Sequence, residues 1–369
     1  MARRVVITST VRAAPPGQVG GYLRVLDLDR ERVTFEAPVP ESIYRAIDPN
    51  PRGGQRGGRG VSVHGARLVI GNAEHGFVFD RSWRLVSDFT HPLMANVHDL
   101  LAEERGLWIT ASGCDALVLV DWDGRLLDVW DFRRDEQLVE EIGYPRTVPA
   151  LDPAQDYRNP LSRGGPTHTA HVNSVARGSE GLLVLLGRVH RMLDESAQGE
   201  SVVVRLDDGN GPLADVAAAI VDRTPAHSAP NHNVAEADGL LLLVDSNRSC
   251  LVARDAGSGA VQATVAIPGD PPFVRGLART GPGRWLVGSQ NPLALHVVDL
   301  DAGRVVGRYP LGGVDRESVY AAAVLPDDFD DPPAPDPDDP YSFWKTSAVG
   351  IGFTPIPRSP AGRPARGRA

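Results

Sequence analysis

The sequence predicts an all-β chain, a six-bladed β-propeller whose ring is closed by pairing of its N- and C-terminal strands. Short runs of alternating apolar residues are punctuated by Asp-Gly, Gly-Ser-Gly and Pro, and helical periodicity is nearly absent. A unit of four such runs recurs at roughly 40–50 residues, the period of a propeller blade. Its third run ends in an aspartate each time: Val25-Leu26-Asp27, Val78-Phe79-Asp80, Leu119-Val120-Asp121, Arg205-Leu206-Asp207, Ala253-Arg254-Asp255 and Val298-Asp299.

The first unit starts in mid-pattern. Arg4 to Thr10, Gly21 to Asp27 and Arg32 to Ala37 serve as its outer three strands, and Ser318 to Val324 supplies the missing inner one. Such a closure leaves no open sheet edge. The glycine-rich stretch Pro51 to Gly60 resembles an RNA-binding RGG segment but lacks interleaved aromatics, so it is expected to be a flexible loop. A seventh blade between Asp121 and Asp207 is the less favoured alternative, because Arg134 to Pro166 lacks strand alternation and reads as a loop. The propeller is assigned to residues 1–326 and a Pro/Asp-rich linker with a disordered C-terminal tail to 327–369. Within the latter, Tyr341-Ser342-Phe343-Trp344 is apolar enough to dock on the propeller, at a place the sequence does not assign.

With 369 residues the chain can bury a large core. A formal net charge of −9 argues against a non-specific nucleic-acid or anionic-membrane binder, so neither partner is expected. Lys345 is the only lysine, so an arginine carries weight here by position alone. Cys114 and Cys250 are isolated and form no CxxC, which fits a reduced, cytoplasmic compartment. The three apolar residues after Arg4 are too few for a signal peptide, and no run approaches membrane-spanning length.

Three units open with imidazoles and amides: Asn96-Val97-His98-Asp99, Thr167-His168-Thr169-Ala170-His171-Val172-Asn173 and Asn231-His232-Asn233. Aligning the inner strands on their apolar residues puts Arg59, His98, Asn173, His232, Arg275 and Tyr320 at one position, a polar ring at the channel mouth. His91, His168, His171, His190 and His227 fall in loops or strand starts assigned to the same face. Two inserts, Arg134 to Pro166 and Arg188 to Glu200, also emerge there, as lids or binding loops do.

The segment His171-Val172-Asn173-Ser174-Val175, followed by the strand Leu182 to Arg188, resembles the His-x-Asn-Ser-Val segment and strand-terminal Arg of the arylsulfate sulfotransferase family of propellers. His98-Asp99, with Asp121-Trp122-Asp123-Gly124 after it, is similar to that family's earlier blade. Asn231-His232-Asn233, with Val244-Asp245-Ser246-Asn247, is similar to the blade carrying its nucleophilic histidine, although Asn233 stands where the family usually has Asp and Val244 where it has Phe. The resemblance covers roughly His98 to Asn247. It implies His232 as nucleophile, with His98, His171, Asn173 and Arg188 around the sulfuryl group, and no nucleotide or other cofactor.

The residue types suit that chemistry. Sulfuryl transfer from an aryl sulfate needs a nucleophile, donors for anionic oxygens, and an acid or base for the phenolic oxygen. A neutral imidazole can be the nucleophile at pH 7, and nearby arginine charge favours the neutral form. Arg188, Arg59 and Arg275 can hold sulfate oxygens through their forked donors, His98 or His171 can exchange the phenolic proton, and Tyr320 and Phe273 can face the ring of a small aromatic substrate. Two other readings compete. His98, His171 and His232, with Asp99 or Glu317, could bind a divalent transition metal for lactonase- or oxygenase-type chemistry, though arginines in the same ring oppose a cation. A non-catalytic interaction scaffold is the other.

Overall fold

The computed structural model describes residues 3–50, 56–145, 147–161, 170–189, 199–208, 212–213, 216–226 and 229–345. It is a six-bladed β-propeller, with six antiparallel four-stranded sheets. The first comprises β1 (Arg4–Val11), β2 (Tyr22–Asp27), β3 (Arg32–Pro38) and, as its inner strand, β24 (Glu317–Val324). Blade two is β4 (Val61–His64) to β7 (Leu85–Thr90), and blade three is β8 (Val97–Glu103) to β11 (Leu126–Trp130). Blade four is β12 (Val172–Gly178), β13 (Gly181–Val189), β14 (Gly199–Leu206) and β15 (Ala218–Ala226). Blade five runs from β16 (His232–Ala237) to β19 (Val261–Ala266), and blade six from β20 (Arg275–Gly281) to β23 (Arg304–Pro310).

The recurrent aspartate has a local cause. Asp27, Asp80, Asp121 and Asp255 each accept from two backbone amides of the turn that follows, which fixes the hairpin leading to the outer strand. The middle strands of each blade are rich in apolar residues because both of their faces are largely buried. Leu182, Val184 and Leu186 of β13 join the core between blades three and four, while Leu183 and Leu185 join the core between blades four and five. Each of the six hydrophobic clusters fills one seam between neighbouring blades. Each buried leucine or valine of such a seam contributes about 1.5–3 kcal/mol.

Closure runs through β24. It pairs with β1 from Val5↔Val324 to Val11↔Glu317, and the buried Glu317 carboxylate accepts from Ser9 and from the Arg24 guanidinium of the same sheet. Arg24 donates onward to Glu36 at 2.6 Å.

Three sequence expectations are corrected. The insert after β11 is not wholly loop: Glu136–Ile142 is a helix, α1, capped by Asp135 and ended by Gly143 at φ 67°. Its Leu138, Val139 and Ile142 form one buried stripe in the seam of blades three and four, a spacing too short to stand out beside the strand pattern. Residues 56–60 of the expected flexible loop are buried. Their glycines serve close packing: a Cβ on Gly60 would stand 2.6 Å from the Leu100 amide nitrogen.

The packed structure also runs past 326, where the sequence reading ended it. Phe329, Phe343 and Trp344 complete the seam of blades one and two, with Phe343 4.9 Å from Phe35 and Trp344 5.0 Å from Phe77 between ring centroids. The Trp344 indole donates to Pro38 O at 2.7 Å. Composition marks 327–340 as solvated, whereas the seat for Phe329, Phe343 and Trp344 exists only once two blades stand side by side. The disordered tail expected from Arg358 to Ala369 lies outside the described residues. Among the described residues no helix is long and apolar enough to cross a membrane.

Candidate functional site

The inner strands enter the ring through β-bulges, which re-aim side chains at strand starts. Asn173, Asn233, Gly276 and Tyr320 are each skipped by the ladder, and His98 and Asp99 together face Thr110. The six aligned positions are therefore not equivalent. His232 and Arg275 pair directly with Val244 and Gly288, whereas His98, Asn173 and Tyr320 sit on the bulges themselves. An alignment on apolar residues cannot see a one-residue bulge.

Five of those six positions still meet at the mouth, joined by His171. The His98 and His171 rings lie 4.6 Å apart, His171 and His232 6.4 Å, and His98 and Tyr320 5.7 Å. Arg59 donates to the Tyr320 hydroxyl at 2.6 Å and Arg275 donates to His232 Nε2. Phe273 stands 5.9 Å from the His232 ring. The sixth, Asn173, is turned to its neighbours, donating to Asn231 O at 2.7 Å. A Cβ on Gly187 would come within 2.3 Å of the Asn173 amide nitrogen. Asn173 Oδ1 is buried without a partner. Arg188, the last residue but one of β13, reaches His171 electrostatically, with its Nε buried and unpartnered. His91 accepts from the Leu93 amide and feels Arg158 and Asp156, away from the three convergent histidines. His168, His190 and His227 lie outside the described residues, as do 146 and 162–166 of the first expected lid and 190–198 of the second.

Hydrogen bonds decide the tautomers. Ser246 Oγ gives its one proton to Val274 O at 2.7 Å and therefore accepts from His232 Nδ1, also at 2.7 Å. His232 Nε2 is left with its lone pair, in agreement with the Arg275 guanidinium, which can only donate to it. His98 Nδ1 lies 2.8 Å from Asn96 O, a pure acceptor, so its Nε2 also keeps a lone pair. His171 Nε2 is buried with no partner. Its backbone, at φ 56°, is held by Asp115, whose carboxylate accepts from the amides of Ala170, His171 and Val172 at 2.7, 2.9 and 3.4 Å.

All three imidazoles are neutral at pH 7. Burial, then the charges of Arg275, Arg59 and Arg188, pushes His171 down to about 3. Burial likewise holds His98 and His232 well below the usual histidine value, with His171 and Arg59 assisting at the first, and Arg275 and His171 at the second. The arginines are strained in turn. Arg275 is lowered to about 10 by burial and by Arg12 and Arg59, against the pull of Tyr320, and Arg56 to about 9 by burial, Arg59 and Arg12. No carboxylate figures among the strongest influences on either. Burying a cation without a counter-charge is costly, which makes the mouth receptive to an anion.

The alternative metal-ligand set does not form. No group of three His, Cys, Asp or Glu side chains among the described residues is disposed to hold a metal ion. His98 and His232 spend Nδ1 on the protein, and Arg275 lies against His232 Nε2. Sequence reasoning overlooked Arg12, Arg56, Asp115 and the supporting role of Ser246. Arg56 was hidden in the glycine-rich stretch; Ser246 stands within Val244-Asp245-Ser246-Asn247, the turn that carries the resemblance.

No protein-family model matches the chain, and no curated protein matches it. Among solved structures, a Bacteroides caccae protein of unknown function is similar over 88% of this chain and 99% of its own, with a TM-score of 0.51 and 11% identity. A streptogramin B lyase matches over 69% of both chains at a TM-score of 0.43 and 12% identity. The Neurospora crassa Pan2 WD40 domain matches over 69% of this chain and 66% of its own, at 0.40 and 10%. At these identities the likeness concerns the fold alone.

Proposed function

We propose that this propeller is a nucleotide-independent sulfuryl transferase, moving sulfate from an aryl sulfate to a phenolic acceptor through His232. One observation carries the reading. The His232 ring is fixed as the Nδ1–H tautomer by Ser246, which leaves a lone pair on Nε2 beside the Arg275 guanidinium in a site whose dominant charges are cationic. That is the state of a nitrogen nucleophile waiting for an anionic electrophile.

An arriving sulfate ester draws Arg275 from Nε2 to its own oxygens, which frees the lone pair as the electrophile docks. Nε2 then attacks sulfur, the S–O bond to the aryl group breaks, and its electron pair leaves on the phenolate. Because the neighbouring imidazoles are neutral, arginine charge rather than an imidazolium proton stabilises that phenolate. In the second half-reaction His98 Nε2 accepts the proton of the incoming phenol, whose oxygen attacks sulfur as the N–S bond breaks and its electrons return to His232. Arg275 and Arg188 hold the sulfuryl oxygens, Tyr320 and Phe273 face the aryl ring, and Asn173 holds the Asn231 carbonyl next to the nucleophile.

The decisive test is covalent. Incubation with 4-nitrophenyl sulfate is expected to give ping-pong kinetics and an acid-labile mass increase on the peptide containing His232, and His232→Ala is expected to abolish both. Arg188→Ala should retain turnover reduced by about 10²–10³. Full transfer by His232→Ala would sink the assignment.

A further inference from the structure

We propose that the mouth holds a second anion subsite, formed by Arg12, Arg56 and Arg59, so that its ligand is an aromatic compound with two anionic groups. The inference rests on the proposed function for the first group, the sulfate at His232 and Arg275, and adds the second.

The geometry spaces the two subsites across an aromatic pair. Arg275 lies over both rings, 5.4 Å from the Phe273 centroid and 4.5 Å from that of Tyr320. Arg12 lies over Phe273 at 4.0 Å, and Arg59 over Tyr320 at 4.7 Å. Arg56 completes the group, only 8% exposed, its Nε buried and without a hydrogen-bond partner. Its strongest electrostatic neighbours are Arg59, Arg12, Tyr320 and Arg275. One aryl sulfate brings one negative charge to four guanidinium groups. A second anionic group on the same aromatic ring offsets the charge left at Arg56, which the nucleophile does not use, while the aryl body rests between Phe273 and Tyr320.

Equilibrium binding tests this without turnover, because sulfonates have no S–O ester bond to break. Titration of the full chain at pH 7 should show 4-sulfobenzoate binding at least about tenfold more tightly than benzenesulfonate, as expected for an added charge-assisted contact. Arg56→Gln should cut that ratio to about threefold or less and leave benzenesulfonate affinity within about twofold. Arg12→Gln, on the other edge of the subsite, should act in the same direction and guards against a misfolded Arg56 variant. Equal affinities for the two sulfonates in the native chain would overturn the proposal, as would a ratio untouched by both substitutions. If aryl sulfates are never turned over but the preference for the dianion holds, the transferase reading falls and the subsite stands; turnover without the preference has the reverse meaning.

Discussion

Ser246 decides which nitrogen of His232 carries the proton. Its hydroxyl sits 2.7 Å from both His232 Nδ1 and the Val274 carbonyl, so its single proton goes to the carbonyl and the imidazole must donate. The residue lies at the turn after the second strand of blade five, whereas His232 opens the first, so the two are brought together by strand pairing rather than by sequence.

Ser246→Ala removes this lock and leaves a buried Nδ1–H without an acceptor, a cost of about 1–3 kcal/mol. The Nε2–H tautomer then becomes accessible, and it has no lone pair to offer at Nε2. Turnover is expected to fall about 10–100-fold with little change in KM. Nitrogen-15 NMR of labelled histidine should show the Nδ1–H form in the native chain and a mixture in the variant. An unmixed Nδ1–H signal in the variant would show that Ser246 does not set the tautomer.

The pH dependence follows from the direction of the shifts. His171 is depressed to about 3, and His98 and His232 lie well below 6.5, so lowering the pH from 8 to 6.5 protonates none of them appreciably. Aryl sulfatase or transferase activity should therefore be flat over that range, because the arginines of the mouth keep their charge throughout it. For stability the sign is that of a depressed folded-state pKa: the contribution of the buried imidazoles is present above 6.5 and is lost as pH falls towards 3. An acid limb near pH 6.5 in kcat/KM would contradict the neutral, buried assignment.

The C-terminal aromatics should behave as core. Trp344→Ala is expected to cost about 3–5 kcal/mol, since it empties a seat among Phe77, Phe79 and Phe343 and orphans the Pro38 carbonyl. Chemical denaturation of the full chain reads this directly. A loss below about 1 kcal/mol would mean that this segment merely rests on the propeller.

The sequence by itself determined the six-bladed, terminus-closed ring, because period-two strands, turn aspartates and a displaced inner strand are all local signals. It also marked His98, His171, His232, Arg59, Arg275 and Tyr320 as neighbours, since a ring of repeats brings equivalent strand starts together. What only the tertiary structure decided depends on distances between segments remote in the chain. The bulges that turn Asn173 away from its expected place, the Ser246 bond that chooses the His232 tautomer, the burial that keeps the imidazoles neutral and the convergence of Arg12 and Arg56 all arise from blade-to-blade packing. Periodicity shows which face a side chain takes; the depth of its burial and the charges beside it are set by the neighbours that the closed ring supplies.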